Sequence, residues 1–323
     1  MREFQINSNE AGQRFDKYLK KLLVGAPNSF VYKMLRKKNI TLNGKKADGT
    51  EKLIGGDVVK LFLSDETFEK FTGKEEVAAA YEHLKGLRAL PVVYEDEDVL
   101  IVNKPSGMLS QKAKPTDVSA NEHIISYLIE KGELTEEMMR TFKPSVSNRL
   151  DRNTSGLLVA GKTLKGLQEM SQALKERTVQ KYYRCIVKGE VQKNSYIKGW
   201  LLKDERSNKV TIYADRPQIG TEETFLPIET EYVPLQVKHG YSELEVHLIT
   251  GRSHQIRAHL ASIGHPIVGD VKYGDKNVNE RFRKELQINS QMLHAYRMVF
   301  ADGREVIAPC GVEFERVLRY LDK

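Results

Sequence analysis

The sequence predicts an α+β protein with a small basic N-terminal part and a larger strand-rich part. Three observations carry this. At roughly 100–200 residues per domain, 323 residues suffice for two. From about Ala89 onward, short β-like runs are numerous and few helical stretches lie between them, which argues against a doubly wound sheet. The charge is also uneven: residues 12–63 hold twelve Lys or Arg against four Asp or Glu, whereas residues 64–323 hold 38 of each sign. The formal excess of +7 therefore sits near the N-terminus.

Taken in order, Gly12–Val24 places Phe15, Leu19, Leu22 and Leu23 at helical spacing, with Lys17, Lys20 and Lys21 between them. Asn28-Ser29 offers an N-cap for a second helix. Its apolar stripe is Phe30, Val31, Met34 and Leu35, with Lys33, Arg36, Lys37 and Lys38 on other faces. Ile40-Thr-Leu runs into Asn43-Gly44, a hairpin turn signal, and Gly55-Gly56-Asp57 precedes a strand over Val58–Leu63. Residues 64–88 carry six acidic and four basic groups and read as a linker, partly helical over Glu75–Lys85. Val92–Tyr94 and Val99–Val102 are strands around an acidic turn, and Lys104-Pro-Ser-Gly107 breaks the chain. Strands are then expected at Gly156–Ala160, Tyr182–Val187, Leu244–Leu248 and Met292–Phe300. Helices are expected at Leu164–Arg177, capped by Thr163, and at Ser253–Ile263, stopped by Gly264.

Composition excludes several classes. Hydrophobic residues make up 40% and charged residues 29%, an ordinary soluble balance. No apolar run approaches the ~20 residues that span a bilayer. Met1-Arg-Glu-Phe-Gln-Ile-Asn lacks an apolar signal core, so no membrane partner and a cytoplasmic location are expected. Cys185 and Cys310 are too few for a disulfide scaffold or a four-cysteine zinc site. The concentrated positive charge is the footprint of a polyanion, and its placement on a small helical fold points to RNA. Two short basic helices followed by a hairpin resemble the RNA-binding domain named after ribosomal small-subunit protein four, over residues 12–63. That resemblance implies that Lys33, Arg36, Lys37 and Lys38 lie on the RNA backbone.

Three later stretches can carry chemistry. Asn148-Arg-Leu-Asp-Arg-Asn-Thr-Ser-Gly156 sets one carboxylate, Asp151, between Arg149 and Arg152 before an apolar strand. On its own it reads as a surface ion pair; functionally, it is a nucleophile or base among cations that favour a charged carboxylate. Leu248-Ile-Thr-Gly-Arg-Ser-His-Gln-Ile-Arg-Ala-His-Leu260 lacks the H-E-x-x-H pattern of a zinc helix, and His254 and His259 read as one packed and one capping residue. One of Arg252 and Arg257 can reach a carboxylate across the sheet. In Lys181-Tyr-Tyr183 the two tyrosines face opposite ways, so only one can stack on a base in a given cleft.

Together with Asn103-Lys-Pro-Ser-Gly107 and Gly264-His-Pro-Ile-Val-Gly-Asp270, these stretches resemble the RluA family of RNA pseudouridine synthases, from about Val92 to the C-terminus. The resemblance implies a mixed, mainly antiparallel catalytic sheet, isomerisation of uridine in RNA, and neither metal nor cofactor. It divides the chain into a basic domain at 12–63, a linker at 64–88 and a catalytic domain at 89–323. It makes Asp151 the catalytic aspartate, Arg149 the residue filling the gap left by a flipped base, and Tyr183 the active-site tyrosine. Arg257, ahead of Arg252, is the partner of the aspartate. Asn148 and Ser110-Gln111 depart from the family pattern, where many members have histidines.

The chemistry agrees. Hydrolysis of a glycosidic bond usually takes two carboxylates, whereas one carboxylate among arginines suits a uracil that leaves as an anion, rotates and rejoins through carbon 5. Asp151 either attacks covalently or removes a ribose proton. Flipping the base costs roughly a few kcal/mol, which Arg149, Tyr183 and phosphate contacts offset. The expected substrate is large-subunit ribosomal RNA, with tRNA as the other candidate, and a monomer is expected. The competing readings are a non-catalytic RNA-binding or ribosome-assembly factor, which predicts a lost aspartate, and a nucleoside hydrolase, which predicts a second catalytic carboxylate.

Overall fold

A computed structural model of the chain describes residues 1–7, 9–218 and 224–323. The N-terminal part is a four-stranded antiparallel sheet backed by two helices. β1 (Arg2–Gln5) precedes α1 (Phe15–Leu22) and α2 (Asn28–Arg36), and β2 (Ile40–Leu42), β3 (Lys45–Lys46) and β4 (Val58–Leu61) complete the sheet in the order β1-β4-β2-β3. Asn43 and Gly44 both have positive φ, 52° and 73°, as a two-residue hairpin turn requires. The helices bury Phe15, Leu19, Leu22, Val31 and Leu35 against Ile40, Leu53 and Val59, so the basic side chains are left facing out. Two expectations are corrected. The sheet starts at Arg2, ahead of Gly12, because β1 pairs with β4. The cap of α2 is Pro27, whose φ of −59° suits a helix start; Asn28 already lies inside the helix.

Residues 64–88, expected as a linker partly helical over Glu75–Lys85, fold as two helices, each packed on a core. In α3 (Asp65–Thr72), Phe68 joins the N-terminal core. In α4 (Lys74–Leu84), Val77, Tyr81 and Leu84 form an i, i+4, i+7 stripe that packs on the core of the larger part. A Thr141–Glu10 hydrogen bond further ties the two parts together.

The larger part opens with the hairpin β5 (Val92–Glu95) and β6 (Val99–Lys104). α5 (Ala120–Glu130), α6 (Glu136–Thr141) and β7 (Ser145–Val146) lead to β8 (Ser155–Gly161), α7 (Leu164–Glu176) and β9 (Gln180–Lys188). Next come β10 (Ser195–Asp204), β11 (Lys209–Tyr213), β12 (Leu226–Lys238) and β13 (Tyr241–Leu248). α8 (Gln255–Ser262), α9 (Lys276–Leu286), β14 (Leu293–Val299), β15 (Glu305–Ile307) and α10 (Val312–Leu321) close the chain. The main path of the eleven-stranded sheet runs β11-β10-β12-β13-β9-β14-β8-β6-β5.

β6 is buried on both faces: Leu100 and Val102 pack under α5, Val99 and Ile101 under α7. That is why it reads as an unbroken apolar run. Among the described residues, the one parallel pairing is β14 with β8, through His294–Ser155 and Ala295–Gly156. Gly156 has φ +115°, and a Cβ there would lie 2.2 Å from the Ala295 carbonyl oxygen. Only glycine lets the two strands approach so closely. The site lies beside this junction.

Candidate active site

Asp151 sits in the loop between β7 and β8, gripped by side chains from the end of β6 and the segment after it. Ser110 Oγ accepts from the Leu150 N–H and donates to the Leu150 carbonyl, both at 2.9 Å. Lys104 Nζ donates to the carbonyl of Arg152 at 3.1 Å and to those of Pro105 and Met108. Ser106 Oγ donates to the Asn153 carbonyl at 2.9 Å. Burial pushes Lys104 down to about 7, and the Asp151 charge opposes that fall; its three carbonyl partners match the three donors of an ammonium. Asn148 stitches the start of the loop to β8, accepting from the Val159 N–H at 2.8 Å and donating to the Leu157 carbonyl at 3.3 Å.

Arg257, on α8, meets Asp151 across the sheet. Its Nη1 stands 2.7 Å from Asp151 Oδ2, while Nε and Nη2 hold the two oxygens of Asp270 at 2.6 and 2.9 Å. Asp270 is fully buried and also accepts from the Lys272 and Tyr273 N–H groups. Burial works against its charge, yet the Arg257 bonds and those backbone donors hold its carboxyl below the usual range. Burial likewise works against the Arg257 charge, which Asp270 and Asp151 more than restore. Gln255 sets the helix start: its Oε1 accepts from Thr250 Oγ1 and the Arg252 N–H, and its Nε2 donates to the Glu229 carbonyl and Thr230 Oγ1. Arg252 is exposed and makes no ion pair among the described residues.

Tyr183 faces Asp151 from β9. Burial, aided by the Asp151 charge, raises its phenol, so it presents a protonated ring. Tyr182 points to the other face, under Arg297 at 3.9 Å and stacked on His247. His254 bonds to the Tyr273 hydroxyl, and buried His259 bonds to Thr230.

Ser110, Asn148, Asp151, Tyr183, His254 and Arg257 line a cleft of about 1230 Å³ in which Asp151 is the sole carboxylate among the described residues. Arg149, Arg152, Lys175, Arg177 and Arg252 line it too, without a carboxylate within 4 Å among the described residues. Residues 64–323 are neutral in sum, so the sequence concealed this segregation; their acids are spent elsewhere. In a separate cavity of about 600 Å³, for example, Glu95 and Glu133 pair with Lys131 and Lys162. Lys33, Arg36, Lys37 and Lys38 lie outside the cleft, all exposed, on α2 and the turn after it.

Asp270, Lys104, Ser106 and Ser110 are contributors the sequence reading left without a role. Their signal was present in the turns Lys104–Gly107 and Gly264–Asp270, but no spacing rule tells which loop such turns grip. Asp270 does not serve as the second carboxylate of a hydrolase: it is sealed from solvent and both oxygens are taken by Arg257.

Comparison with known proteins agrees with this geometry. Residues 98–262 match the model of the RNA pseudouridylate synthase family. The chain is similar to a ribosomal large subunit pseudouridine synthase C of Pasteurella multocida, 31% identical over 97% of this chain and 91% of that one. It is also similar to the protein of that name from Escherichia coli O6:H1, 31% identical over 98% and 95% of the two chains. Two human structures share the fold. RNA Pseudouridylate Synthase Domain Containing 4 has a TM-score of 0.59 at 17% identity, covering 78% of this chain and 97% of that one. RNA Pseudouridylate Synthase Domain Containing 1 has 0.53 at 24%, covering 68% and 83%. With the family match spanning half of the chain and the bacterial relatives nearly all of it, the protein belongs to the RNA pseudouridylate synthase family and is an RNA pseudouridine synthase.

Proposed function

We propose that this enzyme converts uridine to pseudouridine in large-subunit ribosomal RNA, with Asp151 as the reacting carboxylate, Arg257 as its partner, Tyr183 as a stacking surface and Arg149 in the gap left by the flipped base. The observation that supports this best is the lone carboxylate of a cationic cleft held by Arg257. The names of the bacterial relatives favour ribosomal over transfer RNA.

The reaction breaks the bond from N1 to the ribose C1′ and forms one from C5 to C1′; the proton leaving C5 balances the one gained at N1. Asp151 acts on the ribose, by attack at C1′ or by taking a ribose proton, while the cations around it stabilise uracil as a leaving anion. Tyr183, kept protonated, offers its ring to the extruded base. Residues 12–63 serve as an RNA-binding domain of the type named after ribosomal small-subunit protein four. Lys33, Arg36, Lys37 and Lys38 sit on phosphates, and the catalytic part runs from 89 to 323. The site is expected to need no metal or cofactor, and the enzyme to work as a monomer in the cytoplasm.

The test is to map pseudouridines in ribosomal and transfer RNA of a strain lacking the gene, then to complement it. Wild type should restore the missing sites, whereas Asp151→Asn should bind the RNA yet lose at least about 10⁴-fold in rate. Substantial turnover by Asp151→Asn would refute the assignment, and missing sites confined to tRNA would refute the substrate.

A further inference from the structure

Among the lysines of the larger part, Lys104 is fully buried and Lys162 and Lys181 are half-buried. Lys104 donates to three carbonyls. Lys162 reaches Glu95 and Glu133. Lys181 makes no hydrogen bond through Nζ and no ion pair among the described residues, although it lines the same cleft as Asp151. Burial lowers its affinity for a proton, and the Arg177 charge adds to that. A cation desolvated without a counter-charge is costly. An anion arriving from outside removes the cost.

The position narrows the kind of anion. Lys181 and Tyr183 are two apart on β9 and share a face, about 7 Å apart along the strand. Tyr183 is beside Asp151, so the ammonium stands one step outward from the reacting carboxylate. The backbone of Gly251 passes beneath it: a Cβ at Gly251 would lie 3.2 Å from Nζ. A ribose that presents C1′ to Asp151 carries a phosphate on each side, one of which must leave the pocket past this point. The exposed Arg149 and Arg252 are solvated at the rim and bear no comparable burial.

We propose that Lys181 is the residue that binds the backbone phosphate of the extruded target nucleotide, its unpaired ammonium contacting a non-bridging oxygen in the space left by the missing side chain of Gly251. This rests on the uridine-isomerase reading of the cleft and adds a specific subsite to it. Lys181 is a binding residue here and does not touch the reacting atoms.

The experiment compares wild type, Lys181→Met and Lys181→Arg on a synthetic stem-loop RNA built around the mapped uridine. Versions of that RNA carry a methylphosphonate, a neutral phosphate, on the 5′ or the 3′ side of the uridine. Binding is read by fluorescence anisotropy across a salt series, and conversion by single turnover. Lys181→Met should weaken binding about tenfold and make the slope of log affinity against log salt shallower by about 0.7–0.9. Its rate at saturation should stay within about threefold of wild type. One of the two methylphosphonates should cost wild type the same tenfold and cost Lys181→Met nothing, while Lys181→Arg should keep the sensitivity. Equal losses for wild type and Lys181→Met on every neutralised phosphate, or unchanged affinity in Lys181→Met, would overturn the proposal. If Lys181→Met does not fold, Lys181→Gln, which removes the charge but keeps a polar end, replaces it: full affinity there would overturn the proposal as well. Binding needs no turnover, so RNA that wild type binds but never converts would sink the isomerase reading and leave the phosphate result standing.

Discussion

Arg257 holds Asp151 with one nitrogen and Asp270 with the other two. The guanidinium is therefore fixed from behind before it meets Asp151, and its planar fork allows no substitute of equal charge but different shape. The partly open Asp151 faces the cleft while Asp270 is sealed.

Removing either end of this clamp should do different damage. Arg257→Ala leaves Asp270 charged, buried and unpaired, which costs about 3–5 kcal/mol, so both activity and thermal midpoint should fall. Asp270→Asn keeps the shape but frees the guanidinium, and should lower turnover more than RNA affinity. Arg252→Ala should leave the midpoint unchanged and lower activity only mildly. Thermal melts with single-turnover kinetics check all three; an Arg252→Ala defect exceeding that of Arg257→Ala would reverse the assignment of partners.

The protein should lose stability in mild acid. Burial pushes His259 and His294 down to about 4 from an ordinary 6.5. Between those values the unfolded chain takes up protons that the folded chain refuses. The stability these two histidines contribute is therefore complete above about pH 6.5 and is lost as the pH falls towards 4. At pH 5 each histidine should cost about 2 kcal/mol. Asp270, held below its usual value, adds a further loss only below about pH 4. Urea unfolding at pH 7.5 and 5.0 measures this; His259→Gln should shrink the difference by about half. Equal stability at the two values would show that neither histidine is kept neutral by folding.

The four exposed cations of α2 and its following turn should supply affinity without chemistry. Replacing Lys33, Arg36, Lys37 and Lys38 by Ala in the full chain should flatten the salt slope by up to about 3, at 0.7–0.9 for each phosphate lost. The saturating rate should not change. A slope equal to wild type would place the RNA grip entirely on the catalytic cleft.

Most strands of the larger part were legible because their burial is written in period two or as unbroken apolar runs, as in β6, β8 and β13. The helix α7 and its Thr163 cap were legible from spacing and cap chemistry, and the hairpin at Asn43-Gly44 from its turn residues. Helix α4 was legible as the helical stretch over Glu75–Lys85, but α3 and the packing of both were hidden because acidic composition masked Phe68 and the Val77–Tyr81–Leu84 stripe, whose partners are distant in sequence. At the site, Asp151 and the arginines stood out as residue types in motifs. The grip of Ser110 on Leu150 and of Asp270 on Arg257 did not, since each is a contact between loops whose approach the sheet order decides. The cationic cleft was invisible to a charge count, because a neutral sum says nothing about where acids and bases face.

The insertion of β14 between β8 and β9 also sets when the enzyme can exist. Asp151 and Arg257 are 106 residues apart, and the strand joining the two halves of the sheet ends at Val299. Closing so long a loop brings no reward until β14 docks, which makes the centre of the sheet a late event in folding. The basic N-terminal helices, by contrast, depend on neighbours within the first 72 residues. During synthesis the chain can thus fold its basic helices long before Asp151 meets Arg257. A polypeptide stalled short of β14 would carry the folded basic helices without the joined sheet that brings Asp151 to Arg257.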